Sequence, residues 1–180
     1  MSFYHNCEDP YNRKRNRNKW NTDCYKYNCG GLALGTYSWY LPYDLDGDDD
    51  EEQLIVKDWH EAGYSEKEIC QMLTDQYVEY MLNDFGGRLQ ILHDVHEAAP
   101  TDTIIMFRVG VSIMEVEGWD EDDDELDMYY DTDFHFRVRR NGHWIEKMGD
   151  RPISISSEDY DLWEGCALNY NGPIVLMVLS

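Results

Sequence analysis

Apolar residues recur along the first half of the chain with the spacing of helices. Between residues 69 and 81 they return every three or four positions, which places them on one face of a helix. Ser65 and Glu68 form the capping box that starts such a helix, and Gly86-Gly87 is expected to end it. A shorter helix is predicted over residues 54–62, where a glycine follows directly.

The second half of the chain carries the patterns of strands. Its segments are rich in β-branched and aromatic residues, which favour a pleated, half-buried backbone. Asn141-Gly142 lies between two of them and is a typical two-residue hairpin turn. N-terminal helices packed on an antiparallel sheet define the α+β fold class. The predicted strands occupy residues 88–92, 103–113, 134–139, 143–146 and 173–179.

The segment NCGGLALGTYSWYLPY, residues 28–43, raises the question of chemistry. Its apolar positions fit one buried helix that starts after Asn28 and is stopped by Pro42. Cys29 then stands at a helix N-terminus, where the helix dipole favours the thiolate that acts as a nucleophile. The alternative is structural, because a cysteine is also a small and readily buried core residue.

A candidate partner for this thiol lies on the predicted strand at 134–139. His135 is an imidazole that could take the thiol proton, and Glu146 on the next strand is placed to hold its tautomer. Backbone N–H groups near Cys29 would then form an oxyanion hole. The structural alternative is that His135, flanked by Phe134 and Phe136, is a core histidine with satisfied hydrogen bonds.

Two short patches carry a family resemblance. The first reads Asn-Cys-x-x-x-Ala-Leu-Gly, and the second reads Asp-x-His-Phe followed by Asn-Gly-x-Trp-x-x-Lys-x-Gly. In this order they resemble the small papain-like, NlpC-type cysteine hydrolases of bacteriophages and Gram-positive bacteria. The resemblance implies a papain-like core in which Cys29 opens the central helix, His135 begins a hairpin and Glu146 follows on its second strand. The matching residues are Asn28, Cys29, Ala33, Leu34, Gly35, Asp133, His135, Phe136, Asn141, Gly142, Trp144, Lys147 and Gly149.

Composition restricts the compartment. The chain has 180 residues, of which 42% are hydrophobic, enough for one domain with a packed core. We expect a cytoplasmic protein without a membrane partner, because no stretch reads as a signal peptide or a transmembrane segment. The five cysteines are odd in number and irregularly spaced, which is typical of reduced cytosolic thiols.

Charge divides the chain into a basic arm at 1–26 and a single acidic domain at 27–180. The arm has six Lys/Arg against three acids, whereas the rest has nine Lys/Arg against 34 acids, for a net charge of -22 overall. Two acidic runs, at 44–52 and 115–127, hold seven and nine of these acids. The arm either folds back on the acidic domain or contacts nucleic acid through Arg13, Arg15 and Arg17. The runs are either solvated loops or a surface for a strongly basic partner.

Metal and cofactor signals are weak. His93 and His96 lie three residues apart without a second ligand cluster. The run at 44–55 starts like an EF-hand loop but lacks its glycine at the sixth position and its glutamate at the twelfth. No phosphate-binding or dinucleotide fingerprint is present, so neither a metal nor a cofactor is predicted.

The two functions that fit belong to different classes. Charge favours a non-catalytic intracellular inhibitor, because carboxylates satisfy the Lys and Arg groups that otherwise contact phosphates. In size and charge the chain resembles phage anti-CRISPR proteins, some of which mimic DNA. That resemblance implies binding to a basic nucleic-acid-binding partner, a CRISPR effector nuclease in the host cytoplasm, which blocks nucleic-acid binding or cleavage without turnover. The alternative is a cysteine peptidase or amidase that uses Cys29, His135 and Glu146. The expected partner-binding residues are Asp48, Asp49, Asp50, Asp122, Asp123 and Asp124.

Overall fold

The computed structural model describes residues 27–43, 51–117, 126–147, 153–156 and 170–180. Over these residues the chain forms three α-helices and six β-strands, which confirms the predicted α+β class. None of the helices in this part of the chain is both long and apolar enough to cross a bilayer. The elements are α1 (Cys29–Ala33), α2 (Glu51–Glu61), α3 (Glu66–Phe85), β1 (Leu89–Leu92), β2 (Thr103–Glu117), β3 (Leu126–Arg140), β4 (His143–Lys147), β5 (Ile153–Ser156) and β6 (Val175–Leu179), with 3-10 turns at Gly86–Arg88 and Val95–Glu97.

The strands form one antiparallel sheet in the order β1-β6-β2-β3-β4-β5. At its centre β2 and β3 are paired continuously from Ile104↔Arg139 to Glu117↔Leu126. β6 lies between β1 and β2 and pairs with both. β4 returns from β3 through Asn141-Gly142, whose φ angles of 51° and 79° are those of the predicted hairpin turn.

The helices cover one face of the sheet. α3 packs on β2 with a stripe of buried residues that includes Ile69, Leu73 and Met81. Phe107 of β2 and Phe136 of β3 meet beneath it, with their ring centroids 4.7 Å apart. Truncating either ring to alanine would cost about 3–5 kcal/mol, because both are almost completely buried. This face therefore holds the main hydrophobic core.

A smaller cluster occupies the opposite face. It contains Ile104 and Met106 of β2, Trp144 of β4 and Val95 from the 3-10 turn after β1. Side chains alternate along a strand, so Ile104 and Met106 point away from the face to which Phe107 contributes. Both faces of the central strands are therefore buried.

The predicted helix from Asn28 to Pro42 is wrong beyond its first turn, because α1 ends at Ala33. The chain folds back on α1 instead, and the Asn28 side chain holds it there. Asn28 Oδ1 accepts from Tyr40 N at 3.1 Å, and its Nδ2 donates to Tyr40 O at 2.7 Å. The returning chain passes so close that a Cβ at Gly31 would lie 1.9 Å from Ser38 O. The two glycines after Cys29 thus permit a close approach of two backbone segments.

The other predicted elements are present with shifted ends. α3 begins at the capping box of Ser65 and Glu68 and ends at Gly86, whose φ is 56°. β2 and β3 both extend beyond their predicted ranges into charged sequence. β5 has no counterpart among the predicted strands, because four residues are too short for a clear alternation.

The side chain of Asn171 forms hydrogen bonds with the part of β2 that lies beyond its pairing with β6. Its Oδ1 accepts from Val111 N and its Nδ2 donates to Val111 O, both at 2.9 Å, as a neighbouring strand would. Nδ2 also donates to Glu66 Oε1 at 2.8 Å, while Glu66 Oε2 accepts from Ile113 N at 3.3 Å. Gly172 N donates to Val109 O at 2.9 Å. These bonds fix the segment at 170–172 against the central strand.

Candidate functional site

Cys29 is the first residue of α1 and is held in place by the residues on either side of it. Asn28 caps the helix by accepting from Gly31 N at 3.0 Å while it anchors the returning chain at Tyr40. A Cβ at Gly30 would lie 3.2 Å from the Phe136 ring, so α1 lies directly against β3. The sequence motif Asn-Cys-Gly-Gly therefore places the thiol beside the strand that carries His135.

His135 lies in the middle of β3 and is only 2% exposed. The other two predicted site residues, Cys29 and Glu146, both raise the pKa of its imidazole. Its Nε2 lies 3.4 Å from Glu146 Oε2, a long hydrogen bond. The structure thus places Cys29 and Glu146 where both act on His135, while the roles predicted for the three residues stay a prediction.

The surroundings of His135 favour its charged form. Burial by itself lowers the pKa of the imidazole, but the hydrogen bonds and negative charges of Cys29 and Glu146 outweigh that effect. The pKa of His135 is therefore raised to about 9. At neutral pH the imidazole is accordingly protonated.

Arg137 shares the carboxylate of Glu146 with His135. The two residues are register partners on β3 and β4, and Arg137 Nε lies 3.3 Å from Glu146 Oε2. That is the same oxygen that faces His135. Arg137 is 2% exposed, so its positive charge acts on Glu146 with little screening by water. Glu146 is thereby oriented by two cationic neighbours, a contribution from Arg137 that the sequence did not predict.

Tyr170 covers one face of the His135 ring. The two rings are stacked, with centroids 5.6 Å apart and planes 28° from parallel. The Tyr170 hydroxyl donates to Asp133 Oδ2 at 2.8 Å, and Asp133 lies two residues before His135 on the same strand. No sequence signal distinguished this tyrosine from the thirteen others in the chain.

The N–H groups at the start of α1 divide into two pairs. Gly31 N is bonded to Asn28 Oδ1 and Leu32 N to Asn28 O. For Cys29 N and Gly30 N the described residues provide no hydrogen-bond acceptor. These two donors lie next to the thiol, where an oxyanion would develop during attack by sulfur.

Cys70 provides a contrast with Cys29. It is buried on α3, where its thiol donates to Val109 O at 3.6 Å and to Asn171 Oδ1 at 3.4 Å. Burial raises the pKa of the Cys70 thiol to about 11. Cys70 is therefore a protonated structural thiol at neutral pH.

The remaining predicted residues are not part of this cluster. The six aspartates expected to bind a partner, and Arg13, Arg15 and Arg17, lie outside the described residues. At the weak metal signal, Asp94 Oδ1 accepts from His96 N and Glu97 Oε2 from His93 N, so both carboxylates serve the backbone of the 3-10 turn. Within the described residues no group of three or more potential ligands is suited to a metal ion.

Comparison of the chain with protein-family models, with curated proteins and with solved structures gave no match. The likeness to papain-like hydrolases and to anti-CRISPR proteins therefore stays a prediction from the sequence. The geometry around His135 and the charge of the chain are the observations on which a function is proposed below.

Proposed function

We propose that this protein is a cysteine hydrolase of the peptidase or amidase class, with Cys29 as nucleophile, His135 as base and Glu146 as orienting group. The observation that carries the proposal is one buried imidazole, His135, whose Nε2 lies 3.4 Å from Glu146 Oε2 and whose pKa is raised by both Cys29 and Glu146. A core histidine needs only satisfied hydrogen bonds. A thiol on one side and a carboxylate on the other is the arrangement that nucleophilic catalysis requires.

In the first half-reaction the sulfur of Cys29 attacks the carbonyl carbon of the substrate. With Nε2 engaged by Glu146, Nδ1 of His135 is the nitrogen that holds the proton taken from the thiol. The oxyanion of the tetrahedral intermediate accepts from the N–H groups of Cys29 and Gly30. His135 then protonates the leaving nitrogen as the C–N bond breaks, which leaves a thioester on Cys29.

In the second half-reaction water replaces the amine product. His135, now neutral, removes a proton from the water, whose oxygen attacks the thioester carbon. The C–S bond breaks, and the sulfur leaves as the thiolate that pairs with the protonated imidazole. Glu146 keeps the ring in one orientation through both steps, and Arg137 keeps the carboxylate in place.

Activation of the thiol depends on His135 more than on the helix. α1 has five residues, so its dipole is much smaller than that of the long helix the sequence predicted. Cys29 is 5% exposed and His135 is 2% exposed. A substrate can therefore reach the sulfur only after a local opening of the site.

An activated ester such as p-nitrophenyl acetate tests the proposal without knowledge of the natural substrate. We expect a burst of p-nitrophenol from acylation of Cys29, and we expect Cys29→Ala and His135→Gln to lower the acylation rate about 100-fold or more. Cys70→Ala is the matched control, because Cys70 is an equally buried thiol with a pKa of about 11. Folded Cys29→Ala and His135→Gln variants that acylate like the wild type would overturn the proposal.

A second candidate function rests on the net charge of -22. In this proposal the acidic chain binds the nucleic-acid channel of a CRISPR effector nuclease, and the triad belongs to a hydrolase-like core that serves as a scaffold. Replacing Asp48, Asp49 and Asp50, or Asp122, Asp123 and Asp124, by Asn should then slow association with the effector. Added salt should weaken the wild-type complex steeply, whereas Cys29→Ala should bind as the wild type does. A salt-independent affinity would exclude this candidate.

A further inference from the structure

Tyr170 occupies an unusual position for a buried tyrosine. Its ring stacks on His135 and its hydroxyl donates to Asp133, so it contacts two residues of one strand at the same time. It is 6% exposed, and the segment that follows it is fixed to β2 through Asn171 and Gly172. Tyr170 therefore has little freedom to move away from the imidazole.

Stacking constrains an imidazole differently from hydrogen bonding. The hydrogen bonds of a histidine lie in the plane of its ring, at the two nitrogens. A ring packed on the face of the imidazole fixes that plane and leaves both nitrogens available. The long contact of 3.4 Å to Glu146 is by itself a weak restraint on ring rotation. The stacked ring of Tyr170 is thus a second restraint on His135, and it occupies neither ring nitrogen.

From this geometry we propose that Tyr170 is a positioning residue for His135 through the ring that stacks on the imidazole. It keeps the imidazole plane aligned so that one nitrogen faces Cys29 while the other faces Glu146. The inference rests on the proposed function, because alignment matters only if His135 exchanges a proton with Cys29. Tyr170 then connects two residues of β3, because its ring contacts His135 and its hydroxyl donates to Asp133.

Alkylation of Cys29 by iodoacetamide, followed from pH 5 to pH 10 and located by mass spectrometry, tests the proposal. Tyr170→Leu removes the stacked ring, and we expect alkylation of Cys29 at pH 7 to slow about fivefold to tenfold. Tyr170→Phe keeps the ring and loses the hydroxyl that donates to Asp133, so its rate should stay within about twofold of the wild type. The ¹⁵N shifts of His135 should change in Tyr170→Leu and much less in Tyr170→Phe.

Tyr130 supplies the matched controls. It is also a buried tyrosine of the sheet, and its hydroxyl lies 3.1 Å from His60 Nδ1, not beside His135. Tyr130→Leu should lower thermal stability as Tyr170→Leu does, yet leave the pH profile of alkylation unchanged. If Tyr170→Leu does not fold, Tyr170→Met replaces it, since methionine fills space without an aromatic plane.

The outcomes separate this inference from the function on which it rests. If His135→Gln alters the pH profile and Tyr170→Leu does not differ from Tyr130→Leu, Tyr170 is a packing residue and the inference fails alone. If His135→Gln itself alkylates with the wild-type profile, the proposed proton exchange fails, and the positioning role fails with it. A slowed and shifted profile in Tyr170→Leu, restored in Tyr170→Phe, supports both.

Discussion

Glu146→Gln removes the negative charge next to His135 while it keeps the shape of the side chain. In the wild type the pKa of His135 is raised to about 9 from a usual value of 6.5, although burial alone lowers it. Such a shift corresponds to roughly 3 kcal/mol of preference for the protonated form. Cys29 and Glu146 both raise the pKa of His135, so the loss of one should lower it. Arg137, whose Nε lies 3.3 Å from Glu146 Oε2, would keep its positive charge next to the neutral amide and so add to the decrease.

The direct measurement is an NMR titration of His135 in the wild type, Glu146→Gln, Cys29→Ala and the double variant. We expect the wild type to titrate near pH 9, each single variant lower, and the double variant lowest, because burial then acts without the opposing effects of Cys29 and Glu146. Cys70→Ala is the control and should leave the titration of His135 unchanged. A wild-type His135 that titrates near its usual value, or a Glu146→Gln variant that titrates like the wild type, would refute this account of the site.

The same shift has a consequence for stability. A histidine with a raised pKa in the folded state binds a proton there more tightly than in the unfolded chain. The resulting stabilisation is fully present below about pH 6.5 and is lost as the pH rises through about 9. Urea unfolding at pH 6, 8 and 10 should therefore show a decline in the wild type that is smaller in Glu146→Gln.

Two further predictions concern the backbone at α1 and a carboxyl group outside the site. Gly31→Ala should destabilise the fold by at least about 2 kcal/mol in urea unfolding, because its Cβ would lie 1.9 Å from Ser38 O. Gly142→Ala is the comparison: its φ is 79° but the space around it is open, so it should cost only about 1 kcal/mol. Equal losses in the two variants would contradict the close approach at α1. Burial raises the pKa of Glu52 despite a short hydrogen bond from Tyr77, so the folded state binds this proton more tightly and loses that stabilisation as the pH rises above about 4.5. Glu52→Gln should remove this part of the decline as the pH rises above about 4.5, and an unchanged slope would count against it.

The strands and the site residues were accessible to sequence reasoning for identifiable reasons. Alternating apolar residues and the Asn141-Gly142 turn fix a register locally, so the pairing that places Glu146 opposite Arg137 follows from the hairpin. The distance along the chain between Cys29 and His135 did not prevent their prediction as a pair. Their chemistry is complementary, and a resemblance to known hydrolases supplied their order.

The length of α1, in contrast, could not be predicted from the sequence. Residues 32–41 are apolar enough to fill a helix, and periodicity cannot show that a returning chain packs on the two glycines. The bonds from Asn28 to Tyr40 decide the path, and they join residues twelve apart that no local pattern relates. The extension of β3 through residues 126–133 was likewise hidden, because acidic residues disfavour strands except where one face remains solvated. Tyr170 became visible only once the sheet placed it over His135.

The position of β6 has a consequence for how the chain reaches its native state. β1 pairs with β6 through Leu89↔Leu179, a contact between residues about ninety positions apart, and contacts of that separation slow folding because a long loop must close first. During synthesis β1 emerges long before its partner, and its row of backbone hydrogen-bonding groups stays open to water or to other chains until β6 has been made. The hairpin of β3 and β4, which carries His135 and Glu146, can form as soon as both strands are made, because they are adjacent in the chain. Newly made chains should therefore hold a formed β3–β4 hairpin beside an unfinished sheet edge, and that edge is where a chaperone would be expected to bind.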